Sequence, residues 1–142
     1  LVVAWNGSVT AGTYNGVDVT KLNRVGTTYD DSANGVNTPT ANIDSLVAGP
    51  SISIPAGTYV ITAQWTFAGV SSGRVTQCAI GTSASNLYRR QRTVQGAGNF
   101  CTVQCTCVRT VSATTRVYAY GSNSVACTNN TNTQYITAVR IA

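Results

Sequence analysis

The sequence predicts an all-β protein whose strands form a sandwich or jelly roll. Of its 142 residues, 22 are Thr and 18 are Val, whereas Lys occurs once and Glu, Met and His are absent. β-Branched residues favour strands, and the residues that usually fill long helices are missing. Short alternating segments recur at intervals of about ten residues, which is typical of sandwiches and jelly rolls. The length corresponds to one domain.

The first twenty residues contain a short internal repeat. WNGSVT at 5–10 returns as YNGVDVT at 14–20, and each copy has an aromatic residue before Asn-Gly. Asn-Gly is the strongest two-residue hairpin signal. The repeat predicts either two hairpin turns or the end of a repeat series in a stalk. We therefore assign 1–20 to an N-terminal, stalk-proximal segment and 21–142 to the head domain.

A predicted loop follows at 32–45, where Asn, Ser, Thr, Gly and Pro dominate. At its start, Asp30 and Asp31 precede Ser-Ala-Asn-Gly, and carboxylates around a tight turn are typical calcium ligands. The spacing lacks the Asp-x-Asp pattern and the closing Glu of an EF-hand. An Asx-type turn that ends in a hairpin is therefore the favoured interpretation, and we assign no metal site and no cofactor.

The clearest strand signal lies at 51–67, interrupted by a turn at Pro55-Ala56-Gly57. After the turn, large apolar side chains alternate with smaller or polar ones, and this period of two predicts a half-buried strand. The predicted core residues on this strand are Tyr59, Ile61, Trp65 and Phe67. Further strands are predicted at 74–82, 87–95, 100–111, 115–121 and 133–142, separated by turns such as SSGR at 71–74.

Five cysteines are present, at 78, 101, 105, 107 and 127. An odd count without a CxxC pair argues against a complete disulfide framework and against a zinc site. A strand at 100–111 would put Cys101, Val103, Cys105 and Cys107 on one face. Buried, reduced thiols are the favoured interpretation, which predicts folding in a reducing cytoplasm. One disulfide that involves Cys127 or Cys78 stays open.

The charge distribution disfavours an enzyme. Without histidine, the commonest general base and metal ligand is absent, and the four aspartates all lie within the first 50 residues. Residues 1–50 carry a net charge of −2, and residues 51–142 carry +7, entirely from arginine. We therefore predict no catalytic residue. No apolar segment is long enough for a membrane span, so no membrane insertion is expected.

The sharpest candidate for a binding site is the arginine-rich strand around 87–95. The candidate ligand-binding residues are Tyr88, Arg89, Arg90 and Arg92. Regular alternation would put Arg90 and Arg92 on the face of Tyr88, where guanidinium groups could bind an anionic sugar that stacks on the ring. The alternative is an edge strand that charge protects from aggregation. Nucleic acid is disfavoured as a partner because no binding motif accompanies the cluster.

The order of motifs resembles the trimeric jelly-roll heads of the tumour-necrosis-factor and complement C1q type. LNRVGTTYD at 22–30 lies where that family has Asn and Tyr-Asp, IPAGTYVITAQWTF at 54–67 matches the diagnostic turn and strand, and QYITAVRIA at 134–142 resembles the closing strand. TRVYAYG at 115–121 resembles another family strand, although Ser-Ala-Thr replaces the usual Gly-Asp before it. Heads of bacterial spore-surface proteins and of bacteriophage fibres share this architecture, and the composition is most similar to the phage group.

This resemblance implies a homotrimer with aromatic residues packed along the threefold axis. Tyr118 and Tyr120 are the candidates for that axis, and the alternative is that they fill the protomer's own core. The implied function is receptor binding by the head of a phage or bacterial surface fibre, at a virion or extracellular surface. Its partner would be a host cell-surface polysaccharide or another anionic glycan. The alternatives are a structural capsid, decoration or spore-coat subunit and a secreted C1q-like pattern-recognition head.

Overall fold

All the secondary-structure elements in the described part of the chain are β-strands. The computed structural model describes residues 13–14 and 17–18 (backbone only), 24–35, 42–68, 72–96, 100–125 and 133–142. The strands are β1 Thr13–Tyr14, β2 Val17–Asp18, β3 Thr28–Asn34, β4 Val47–Ile54, β5 Gly57–Ala68, β6 Val75–Ser83, β7 Asn86–Val94, β8 Phe100–Val111, β9 Thr115–Asn123 and β10 Thr133–Arg140. The all-β prediction is confirmed, and every strand predicted from residue 51 onward is present.

The strands form two antiparallel four-stranded sheets and a small separate hairpin. Sheet I has the order β3-β10-β5-β8, and sheet II has the order β4-β9-β6-β7. From β3 to β10 the chain crosses from one sheet to the other at every step except β6 to β7, which are neighbours in sheet II. This is the topology of a jelly-roll sandwich, in which two sheets enclose one core.

The core is built around Trp65. The four side chains predicted for the core all have 0% exposure: Tyr59, Ile61, Trp65 and Phe67. Two glycines of sheet II make room for the indole, because a Cβ atom at Gly121 would lie 2.3 Å from Trp65 Cδ2 and one at Gly49 would lie 2.7 Å from Trp65 Cζ3. A side chain at either glycine would overlap the ring, so both positions require the smallest residue.

One strand lies where the sequence predicted the start of a loop. β3 pairs with β10 from Thr28 to Asn34, so the Asx-type turn expected at 30–35 is wrong. Asp, Ser and Asn disfavour strands locally, but the hydrogen bonds to β10 override that preference. Gly35 follows the strand with a φ of 72°. Residues 42–46 form no strand, as expected for the rest of the loop, and residues 36–41 lie outside the described residues.

The N-terminal repeat is described only in its second copy. There, β1 and β2 pair antiparallel, with Tyr14 opposite Val17, which agrees with a hairpin. The first copy, at 5–10, lies outside the described residues. Cys127 also lies outside them. The turn predicted at 71–74 includes Gly73, whose φ of 79° is in the left-handed region that favours glycine.

The inner face of β8 carries a row of thiols. The four residues expected on one face all point toward the core, with only the last of them half-exposed: Cys101, Val103, Cys105 and Cys107. Cys78 faces this row from β6 of sheet II and is also buried. These four cysteines are free thiols.

Candidate ligand-binding surface

The arginine-rich strand β7 is an edge strand of sheet II. Among the described strands it pairs with β6 alone, and its central residues are exposed from Arg89 to Arg92. The backbone groups on its outer side are therefore available for unwanted pairing, and charged side chains are a common protection against it. The edge-strand interpretation thus describes the position of β7 correctly, and any binding role must be argued in addition to it.

A β-bulge interrupts regular alternation at Tyr88. Arg89 pairs with Ile80, whereas Leu87 pairs with Gly81, so Tyr88 is the additional residue on β7. A bulge redirects side chains relative to a regular strand. The expectation that Tyr88 shares a face with the later arginines assumed regular alternation. The contacts of these side chains separate them into two groups.

The first group consists of Arg90 and Arg92, which bind Asp44. Arg92 Nη2 donates a hydrogen bond to Asp44 Oδ1 at 2.6 Å, and Arg90 Nη1 lies 3.5 Å from the same oxygen. Arg92 Nε also donates to Gln77 Oε1 at 2.6 Å. These bonds offset part of the positive charge of the cluster. They also hold the segment 42–46 against sheet II.

Two buried polar side chains fix the same segment. Gln77 and Ser122 have 0% exposure although they lie on strands of sheet II. Ser122 Oγ donates to the carbonyl oxygen of Ile43 at 2.5 Å, and Gln77 Nε2 lies 3.4 Å from that oxygen and 3.2 Å from Ser122 Oγ. Asp44 is therefore positioned by backbone contacts on one side and by two arginines on the other.

The second group consists of Tyr88, Arg89 and Arg109. The guanidinium carbon of Arg109, on β8, lies 4.6 Å from the centroid of the Tyr88 ring, a cation–π contact between the two sheets. Tyr88 also packs against the core, so its ring is half-buried. In the described part of the chain, neither Arg89 nor Arg109 forms an ion pair with a carboxylate. Around Tyr88, these two guanidinium groups therefore have no carboxylate partner among the described residues.

Arg89 and Arg109 both lie close enough to the thiol of Cys107 to affect its pKa. Burial raises the pKa of Cys107, as does the nearby Cys105, while the positive charges of Arg109 and Arg89 lower it. We call Tyr88, Arg89 and Arg109 the basic edge, because they lie where β7 of sheet II meets β8 of sheet I. Arg109 was missed from the sequence because the packing of the two sheets, and no local pattern, brings it to Tyr88.

The two tyrosines proposed for a threefold axis lie on the outer side of sheet II. Their ring centroids are 5.8 Å apart, and the guanidinium of Arg116 lies 5.4 Å from the Tyr118 ring. Burial raises the pKa of Tyr120, and the neighbouring Tyr118 raises it further. Val117 and Ala119, which alternate with the two tyrosines on β9, face the core instead. The role of Tyr118 and Tyr120 at an axis remains a prediction.

The outer face of sheet I has a different composition. Its exposed or half-exposed outward-facing strand residues are Thr28, Asp30, Ser32 and Asn34 on β3, Thr133, Tyr135, Thr137 and Val139 on β10, Thr58, Val60, Thr62, Gln64 and Thr66 on β5, and Phe100, Thr102, Gln104, Thr106, Val108 and Thr110 on β8. We call this the threonine face. Asp30, at its β3 edge, is the single charged residue among them.

The hydroxyl groups of the threonine face bind one another. Three cross-strand pairs on β5 and β8 have Oγ1–Oγ1 distances of 2.9–3.0 Å: Thr58–Thr110, Thr62–Thr106 and Thr66–Thr102. Gln104 Nε2 likewise donates to the Tyr135 hydroxyl at 3.4 Å. Removing water from polar groups costs less free energy when those groups are already hydrogen-bonded to each other.

An open cleft of about 570 Å³ separates the edge strands β3 and β4. Asp31 crosses it, because its Oδ2 accepts a hydrogen bond from the Ser51 N–H at 2.9 Å. Its Oδ1 accepts one from the Ser32 N–H at 2.9 Å. In the described residues, no three His, Cys, Asp or Glu side chains are grouped as metal ligands would be. Nor do those residues include a helix long and apolar enough to cross a membrane.

Comparison with known structures shows that the fold is similar to C1q-like jelly rolls, as the sequence resemblance implied. No family model matches the sequence, and no curated protein matches it. The PRD1 vertex protein P5 is similar with a TM-score of 0.55 at 14% identity, over 83% of this chain and 99% of that one. The globular domain of the zebrafish complement 1qA protein is similar with a TM-score of 0.53 at 11% identity, over 81% of this chain and 97% of that one.

Proposed function

We propose that the chain is a non-enzymatic, homotrimeric head domain that binds an anionic glycan on a host cell surface. The fibre on which it sits would belong to a phage or a bacterial surface, so the head acts at a virion or extracellular surface. The observation that carries the proposal is the difference in charge between the threonine face and the basic edge, on one jelly-roll head.

The threonine face supports self-association. An exposed sheet face on a protein that stays monomeric normally carries charges that keep it solvated and prevent association. Among the described strand residues of this face, one aspartate at the edge is the only charged side chain, and valine side chains lie side by side in one row. Val108, at the end of that row, is 63% exposed in the protomer. Covering this face with another copy would bury apolar groups and hydroxyls that are already hydrogen-bonded.

The basic edge supports the binding of an anion. Arg89 and Arg109 carry charges that no described carboxylate offsets, and arginine binds carboxylate, sulfate or phosphate groups through two parallel hydrogen bonds. Tyr88 holds Arg109 in place through its ring face. This shifts the proposed site from the four residues predicted on β7 toward Tyr88, Arg89 and Arg109, with Arg90 and Arg92 bound to Asp44.

Trimer formation and glycan binding would reinforce each other. Three copies of the basic edge on one head would make the second and third contacts at a high effective concentration, so weak single sites could give stable attachment. The absence of histidine from the whole chain is consistent with a binding function. A structural subunit of a virion is the second candidate, because the PRD1 protein of similar fold is a vertex protein.

A glycan array tests the proposal. The purified domain would be applied to sulfated, carboxylated and phosphorylated glycans printed beside neutral counterparts, at physiological salt. We expect retention on one anionic class and little on its neutral counterpart. The free glycan should compete with attachment to cells. Equal signals on all glycans, or none, would refute the glycan proposal and favour the structural subunit.

A further inference from the structure

We propose that Cys78 and Cys105 are a modification site, where a disulfide bond links the two sheets when the protein folds under oxidising conditions. Cys78 lies on β6 in sheet II, and Cys105 lies on β8 in sheet I. Their sulfur atoms are 3.6 Å apart across the core. The proposal does not depend on the proposed function.

The geometry selects this pair among the described thiols. Cys78 Sγ also approaches the carbonyl oxygen of Ala63 at 3.5 Å, so both of its neighbours lie on sheet I. Cys101, on the same face of β8, instead contacts Thr76 Oγ1 at 3.2 Å. A disulfide has an S–S distance of about 2.05 Å. The two sulfurs must therefore approach by about 1.5 Å, which requires side-chain rotation and a shift of β8, an edge strand of sheet I.

The reaction requires an oxidant, for which a small disulfide such as oxidised glutathione serves. The thiolate of one cysteine attacks it, forms a mixed disulfide and releases one glutathione thiolate. The second cysteine, as thiolate, attacks the protein sulfur of the mixed disulfide and releases the other. Two protein thiols lose two electrons, one glutathione disulfide gains them, and the two thiol protons end on the released glutathione molecules.

The burial of both thiols determines when this can happen. A hydrogen bond with Cys105, together with burial, raises the pKa of Cys78, so little thiolate is present in the native core. Both side chains are also closed to reagents in solution. The bond therefore forms during folding or partial opening. It closes a loop that contains all of β7, so it would hold the strand that carries Tyr88 and Arg89 against sheet I.

Peptide mapping after refolding tests the proposal. The unfolded, reduced protein would be refolded with a mixture of reduced and oxidised glutathione, or with reduced glutathione alone, and then alkylated under denaturing conditions. We expect the alkylated thiols to fall from all five to three in the first sample. A peptide should link Cys78 to Cys105, and the melting temperature should rise by about 5 °C or more.

Variants give the control. Cys78→Ala and Cys105→Ala should each abolish the linked peptide and the difference in melting temperature between the two samples. Cys101→Ala removes a buried thiol on the same strand and should preserve both. Five free thiols in the oxidised wild-type protein, or a bond from Cys78 to another cysteine, Cys127 included, would overturn the proposal. The wild-type map decides the question even if an alanine variant fails to fold.

Discussion

The two outer faces of the sandwich differ in the charged side chains that they carry. The threonine face of sheet I has a single carboxylate at its edge, and its hydroxyls are paired across β5 and β8. The outer side of sheet II carries Arg90, Arg92 and Arg116, and the segment 42–46 covers part of it through Asp44 and Ile43. Both sheets have the same number of strands and share one core.

The proposed function accounts for this difference, because it puts the two faces in different surroundings. Charged side chains keep a sheet face solvated when it stays in water. Each unpaired charge that becomes covered by protein instead destabilises the assembly, because its desolvation costs free energy. The threonine face, with one carboxylate at its edge, is therefore suited to being covered by protein. The outer side of sheet II and the basic edge are suited to water, and they present arginines where a ligand could reach them.

The largest effect is expected when charge is placed on the threonine face. Val108→Glu on β8 should convert the trimer to monomers and lower the solution mass about threefold, because three buried carboxylates would repel one another without partners. Light scattering measures the mass. Since Val108 is 63% exposed in the protomer, the domain should remain folded by circular dichroism.

Val94→Glu is the matched control, because Val94 lies on an edge strand of the other sheet, β7, and is also 63% exposed. It should leave the trimer intact. Tyr118→Glu tests the earlier prediction of a threefold axis on β9. If the trimer persists in Val108→Glu but dissociates in Tyr118→Glu, the self-association surface is the outer side of sheet II and not the threonine face.

The second largest effect is expected at the basic edge. Arg89→Ala with Arg109→Ala should weaken binding to the anionic glycan at least about tenfold, since hydrogen bonds to charged groups contribute about 1.5–3 kcal/mol each. Arg90→Ala with Arg92→Ala removes the same amount of charge and should weaken glycan binding much less. Titration by biolayer interferometry compares them. Equal losses would mean that net charge attracts the glycan, and a larger loss from the second pair would return the site to the residues that bind Asp44.

Much of the fold could be predicted from the sequence, because strands such as β5 and β8 bury one face and therefore alternate, whereas β6 is buried on both faces. β3 could not, since Asp30, Asp31 and Ser32 are turn-forming residues and only pairing with β10 makes them a strand. The predicted core at Tyr59, Ile61, Trp65 and Phe67 reflects the same simple periodicity. Local patterns determine which side of a strand is buried, but not which strands become neighbours.

The binding surface was harder to predict for two physical reasons. The bulge at Tyr88 adds one residue to β7, and a single added residue reverses the side on which all later side chains lie. Arg109 reaches Tyr88 from the opposite sheet. The neutralisation of Arg90 and Arg92 by Asp44 is also a tertiary contact, from a segment that the sequence predicted only as a loop.

A smaller effect is expected from Asp44→Asn. Both arginines and the carboxylate are substantially exposed, and such ion pairs contribute about 0.2–1 kcal/mol. The free energy of unfolding should therefore fall by no more than about 1 kcal/mol, as measured by urea denaturation. Binding to the anionic glycan should stay equal or strengthen, because Arg90 and Arg92 are released. Weaker binding would show that Asp44 itself belongs to the site.

The smallest effect is expected from Thr62→Val with Thr106→Val. This pair removes both members of one hydroxyl pair on the threonine face, so no polar group is left without its partner. The trimer should persist, with a change in the free energy of unfolding below about 1 kcal/mol. Thr106→Val alone is the comparison, and it should cost slightly more. Dissociation of the double variant would mean that these hydroxyls bind the neighbouring copy.

The solution mass of the wild-type domain tests the central claim most directly. Light scattering near neutral pH, with reductant present, should give three times the protomer mass of 14.8 kDa, about 44 kDa. A mass of 14.8 kDa across the concentration range would contradict the assignment of the threonine face to self-association. It would also remove the multivalent binding on which the proposed function depends.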